Sequence, residues 1–197
     1  MRLSTVFTLL CLWLVTLSSV QAKEFIIDHS HTRVGFEIKH LVVAKVRGQF
    51  NNFTGRINWN PDKVSKSSMT GIVQVNSIDT NNTKRDQHLL SSDFFNANEY
   101  DTCTFTSTKI KKTKQKNVVN VTGLLTIKDV TKKISFPVTI AGPITGPRGR
   151  QRYGFEAEFT IDRFDYGLTW SRALETGELV VGRDVTVTIA AELIEAK

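Results

Sequence analysis

Disulfides are the first thing this 197-residue sequence lacks: it has two cysteines, Cys11 and Cys103, and the first sits in an apolar N-terminal run. With one thiol left downstream, no internal disulfide framework can staple the fold, so a packed core has to hold it. Long apolar runs are scarce too. The single candidate, Val6 to Leu17, is shorter than the roughly 20 residues that cross a bilayer. It follows the positive Arg2 and precedes Val20 and Ala22, which suit a cleavage point. Residues 1–22 are therefore expected to be a cleaved signal peptide that delivers residues 23–197, one domain, to the periplasm. A lipid anchor on Cys11 is not expected, because Leu10 is too bulky for that cleavage and the site would fall inside the apolar run.

Catalytic motifs are missing as well. There is no G-x-S-x-G elbow, no phosphate-cradling glycine loop, no H-E-x-x-H, and no Cys-x₂-Cys or His-x₃-His pair. Histidine is rare, yet His29, His31 and His40 fall together in "DHSHTRVGFEIKH" at 28–40. In a regular strand His40 faces inward and His31 outward, so the three do not converge and no metal is expected. Asp28 and His31 are expected instead to tie down the start of that strand. The acids Asp162, Asp165, Glu175 and Glu178 suggest a turn in "IDRFDYGLTW", held by an Asp–Arg pair and a glycine, rather than a catalytic carboxylate pair. Neither an enzyme nor a cofactor is expected.

Acid is in mild deficit. Without Arg2 the chain carries 25 basic and 19 acidic residues, a net charge of +6. Lys109, Lys111, Lys112, Lys114 and Lys116 bracket a turn, and Arg148, Arg150 and Arg152 occupy the loop "GPITGPRGRQR". Neither group has the interleaved aromatics of a nucleic-acid platform, so nucleic acid is not expected. A solvated surface is the plain reading, and transient attraction of the arginine loop to an anionic membrane is the alternative.

Strands are what the sequence has. Val34, Phe36 and Ile38 alternate with polar residues; Val46, Gly48 and Phe50 continue in even register; Phe53, Gly55, Ile57 and Trp59 follow in odd register. The parity switch at Asn51–Asn52 predicts a bulge where a long strand bends. Further alternating runs lie at 69–75, 103–105, 119–127, 134–140, 153–161 and 185–193. Only residues 83–98 read as helix, capped by Asn82 or Thr83, with Leu89, Leu90, Phe94 and Phe95 on its apolar side. Eight half-apolar strands predict an all-β protein: an eight-stranded antiparallel barrel with one short helical insertion.

Parity also names the inner wall. Phe36, Ile38, His40, Phe50, Phe53, Gly71, Val73, Phe105, Val121, Leu125, Phe136, Val138, Phe155, Ala157, Phe159 and Val187 are the expected ligand-binding residues. Gly48, Gly55, Gly71, Gly123, Ala157 and Ala191 lie on the same faces and predict unfilled space, long and narrow, suited to an apolar chain.

The pieces D-x-x-H-T at 28–32, H-L at 40–41, G-x-F-x-x-F-x-G at 48–55, S-I-D-T at 77–80, D-F-F at 93–95, G-x-L-T-I at 123–127 and D-R-x-x-Y-G at 162–167 are jointly specific. In order and spacing the chain resembles the YceI-like family of exported bacterial proteins. Asp101 and Asp129 depart from its pattern, both in turns. The resemblance implies a lipocalin-like barrel that holds a polyisoprenoid or other long-chain amphiphile in a tunnel, without catalytic residues. The expected partners are thus a long-chain isoprenoid or fatty lipid, an anionic membrane surface, and a second copy in a homodimer. The competing reading is an envelope stress or structural protein whose cavity is incidental.

Overall fold

A computed structural model describes residues 22–41, 43–174, 177 and 179–197. The leader expected over 1–22 lies outside the described residues except for Ala22, and Glu175 and Glu178 lie outside them too. The strands are β1 (Lys23–Ile27), β2 (Arg33–His40), β3 (Ala44–Phe50), β4 (Phe53–Trp59), β5 (Ser68–Gln74) and β6 (Ile78–Asp79). After helix α1 (Thr83–Leu90) come β7 (Thr102–Lys112), β8 (Val118–Ile127), β9 (Val130–Thr145), β10 (Gln151–Asp162) and β11 (Val181–Glu195).

Eleven segments make eight staves. β1 and β2 both pair with β11, so they form one bent strand; β3 with β4 and β5 with β6 form two more. The staves then run antiparallel in chain order, and the pairing of the first with β11 closes the barrel. The bends coincide. A 3₁₀ turn at His29–His31, a two-residue break at Asn51–Asn52 and a 3₁₀ turn at Val75–Ser77 fall on three adjacent staves. Asn51 N–H donates to Ser77 O (3.0 Å), and Asn52 N–H to Ser77 Oγ (2.9 Å), binding two of the breaks together. The expected bulge is thus a full interruption of the ladder. The Asn51 and Asn52 N–H groups, freed from the ladder, find their partners across the corner on Ser77.

Residues 23–27 were not expected to form a strand; Phe25 and Ile27 alternate over too short a run to register as one, and pairing on both sides stabilises them. The helix is shorter than expected, ending at Leu90 rather than 98. Ser91 ends it: its N–H and its hydroxyl both donate to His88 O, and turns take over through Tyr100. The start matches one of the two expected caps, since Asn82 Oδ1 accepts from Arg85 N–H at 3.0 Å.

The barrel has two unlike ends. One carries α1, the 128–129 turn and the 163–180 connection. The other holds the start of β1, the end of β11 and the turns at 113–117 and 146–150. This second end is plugged by a cluster that includes Phe25, Trp59, Ile110, Val121, Tyr153 and Leu193. Phe25 meets Tyr153 edge-on at 5.2 Å, and Trp59 meets Phe155 at 5.3 Å.

Candidate functional site

Between that plug and the helix lies a cavity of about 460 Å³, walled almost wholly by apolar atoms. Alternation explains why: a closed antiparallel sheet sends every second side chain inward, and those positions are aliphatic or aromatic. Phe36, Ile38 and His40 on β2, Phe50 on β3 and Phe53 on β4 all line it. So do Gly71 and Val73 on β5, Phe105 on β7 and Leu125 on β8. Phe136 and Val138 on β9, with Phe155, Ala157 and Phe159 on β10 and Val187 on β11, complete the set.

Val121 is the exception. It points inward as parity requires, but it is fully buried in the plug with Ile110, Val119 and Val138 and does not reach the cavity. Parity gives the side of a strand, not the depth along the barrel axis.

The small residues need a second correction. A β-carbon on Gly48 would stand 2.3 Å from Phe36 Cζ, one on Gly123 2.4 Å from Phe105 Cζ, and one on Gly55 2.4 Å from Ile27 Cδ1. Those three glycines are already covered by a neighbouring side chain, so they leave no open space. Gly71 alone of the four faces a void, with only Thr54 O near, at 3.9 Å.

At the helix end the wall comes from segments whose role alternation does not reveal. His88 packs edge-on to Phe94 (5.0 Å) and Trp170 (4.9 Å), and its Nε2 lies 2.9 Å from Asp93 Oδ2. Phe95 reaches Phe50 edge-on at 6.2 Å. Leu89, Phe94, Phe95 and Trp170 therefore cap the cavity. The apolar side expected for 83–98 signalled three of these; nothing in the sequence signalled Trp170.

Ionisable groups on this wall are few. Burial pushes the Cys103 thiol up to about 12, so it stays protonated at neutral pH. Arg163 is buried; its guanidinium donates to Gly182 O (2.8 Å), Val181 O (3.0 Å) and Leu168 O, which fastens the 168–182 segment to the barrel. It does not hold Asp162. That carboxylate pairs with Arg183, and the pairing together with the Phe164 N–H (2.9 Å) holds it below its usual range. The turn expected at 162–167 is present and its glycine, Gly167, has φ 71°, but its Asp–Arg pair uses a residue 21 positions away.

The histidines do not converge. His31 Nδ1 lies 3.2 Å from Asp28 Oδ2 and His40 lines the cavity, while His29 stacks on Phe53 at 5.1 Å. Asp28, His31 and Glu192 do bring ligand atoms within 4.8 Å of one another. Arg152 already serves them as the cation: its Nη1 contacts Glu192 and lies 3.3 Å from Asp28. Burial would raise the Asp28 carboxyl, but the hydrogen bonds from His31, Ser30 and Arg152 outweigh it and hold the group low.

Residues 25–193 match the family model described as YceI-like domain. The chain belongs to the YceI-like family. It is 37% identical over 169 residues to a UPF0312 protein of Staphylococcus aureus strain MSSA476, covering 85% of this chain and 95% of that one. A Campylobacter jejuni YCEI protein that crystallizes with large solvent channels is similar at a TM-score of 0.70 and 32% identity, with 87% and 97% covered. A polyisoprenoid binding domain from Saccharophagus degradans, implicated in plant cell wall breakdown, shares the fold at a TM-score of 0.67 and 14% identity, with 89% and 100% covered.

Proposed function

We propose that this YceI-like protein is a periplasmic carrier that holds one polyisoprenoid or other long-chain amphiphile in its barrel. The observation that carries the reading is the cavity: about 460 Å³, almost wholly apolar, plugged at one end and capped by Leu89, Phe94, Phe95 and Trp170 at the other. That volume falls in the roughly 300–1,000 Å³ range of small-molecule pockets. The polyisoprenoid named for the Saccharophagus domain supports the ligand class. Each buried methylene contributes about 0.8 kcal/mol, so a chain of several isoprene units brings ample driving force. The role is binding and release, without turnover; export by the leader at 1–22 is part of the proposal.

The test is an untargeted mass spectrum of the organic extract from protein purified gently from its native envelope. A long-chain molecule in stoichiometric amount is the expected result. Ala157→Trp and Gly71→Trp should keep the fold and lose that molecule, because both positions face the cavity. An extract repeatedly free of long-chain molecules, with a lowered melting temperature in both variants, would return the barrel to an envelope protein with an incidental cavity.

A further inference from the structure

The net positive charge of residues 23–197 is confined to one stretch. Residues 102–155 hold eleven lysines and arginines against one carboxylate, Asp129, whereas the remainder of residues 23–197 holds fourteen basic against eighteen acidic residues. The whole surplus therefore sits on β7, β9, the turns that flank β8 and β9, and the start of β10. Among the described residues only two of the eleven cations have a carboxylate within reach: Lys132 with Asp165 at 3.4 Å, and Arg152 with Asp28 and Glu192.

The arrangement is a face, not a scatter. The register shift between Ser107 and Lys109 keeps Ile110 buried and turns Lys109 and Lys111 outward. Across β8, Lys133 stands opposite Leu124, which is 42% exposed, and Ile72 on the adjoining β5 is 42% exposed as well. Lys111 and Lys133 act on Lys109 closely enough to pull its ammonium below the ordinary lysine value, the mark of like charges without a counter-charge. Between the lysines the sheet offers neutral hydroxyls, Thr122 with Ser135 at 2.8 Å and Thr126 with Thr131 at 2.8 Å. We propose that the outer face of β7, β8 and β9 docks on an anionic lipid bilayer, with Lys109, Lys111 and Lys133 as the contact charges and Leu124 as the apolar contact. Lysines around an exposed aliphatic side chain suit the lipid interface, where the ammonium meets phosphate and the carbon meets acyl chain. The choice of a bilayer as the occupant rests on the carrier reading; the charge segregation does not.

This relocates the membrane contact expected of Arg148, Arg150 and Arg152. Arg152 is held by two carboxylates, and the loop sits at the plugged end of the barrel. Flat contact along the barrel side leaves the helix end free at the membrane surface.

Co-sedimentation of the mature protein with vesicles of phosphatidylcholine and phosphatidylglycerol tests the proposal. Binding should require the anionic lipid and fall with salt. Lys109→Gln, Lys111→Gln and Lys133→Gln should each lower partitioning about five-fold, and the triple lysine variant that combines them should lower it further than any one alone. The control is Lys39→Gln with Lys45→Gln and Arg47→Gln, the same charge change on the hairpin of β2 and β3, which lies across the barrel from β8. Circular dichroism melts confirm folding, which relief of like-charge repulsion favours. Equal losses in both triple variants, or no binding of the unaltered protein to anionic vesicles at low salt, would overturn the docking face. The carrier reading is scored separately from the organic extract of the lysine variant, which should still contain the long-chain molecule. Binding to an acidic protein with none to vesicles would also refute the bilayer as occupant.

Discussion

Glycine at 71 and glycine at 123 look alike in the alternating pattern and differ completely in what surrounds them. A β-carbon at Gly123 would meet the Phe105 ring at 2.4 Å and Thr106 O at 2.6 Å, and the backbone oxygen cannot step aside. Gly123→Ala should therefore cost about 1–3 kcal/mol of stability, as overpacking does. Gly71→Ala, with nothing closer than 3.9 Å, should leave the denaturant midpoint nearly unchanged. Equal midpoints for the two variants would show that Gly123 is not sterically required. The inward direction of both residues was legible from a period of two; which of them faces a void depends on the Phe105 rotamer and on the neighbouring strand. The histidines teach the same point. Alternation along a regular strand predicted that they would not converge, but it is a 3₁₀ turn that carries His29 and His31 away from His40, and the role of Arg152 beside Asp28, His31 and Glu192 joins residues 124 and 40 positions apart. Because that guanidinium already neutralises the carboxylates, chelator treatment should leave the melting temperature where it was. A drop that zinc restores would place a metal there.

Among the elements, the turn at Arg163–Tyr166 shows how local chemistry and a distant partner combine. Asp162 caps it by accepting the Phe164 N–H, and Gly167 closes it in the left-handed region. Both roles are readable from the local sequence. The depressed carboxyl of Asp162, set first by Arg183, makes the turn acid-sensitive. Its folded value lies below the ordinary 3.8, so the stabilisation is fully present above that pH and is lost as pH falls through the depressed value. Thermal melts from pH 6 down to about 2 should show that loss, and Asp162→Asn should be less stable at pH 6 with a shallower acid slope. An unchanged slope would mean the pair contributes nothing to folding. The helix illustrates the converse. Its Asn82 cap was legible, but its end at Leu90 was set by Ser91 hydrogen bonds while Phe94 and Phe95 stayed apolar on turns, so apolar spacing overstated its length.

For the whole molecule, the barrel class and its stave count follow from the sequence alone, because period-two alternation over eight runs admits few arrangements that bury every apolar face. Fifteen of the sixteen expected wall residues lie on the cavity for the same reason, and Val121 does not because alternation carries no information about depth. The lysine-rich run at 109–116 was visible as a string; its separation from the acidic remainder of the barrel became a face only when β7, β8 and β9 were set side by side. The sequence by itself determined the class of fold, the inward residues and the caps, all of which depend on neighbours one to four positions apart. Tertiary structure alone decided where the cavity stops, which glycine is open, which arginine holds which carboxylate and that Trp170 joins the helix-end cap. Those depend on closure of the sheet, which brings residues far apart in the chain into contact and is encoded in no local pattern.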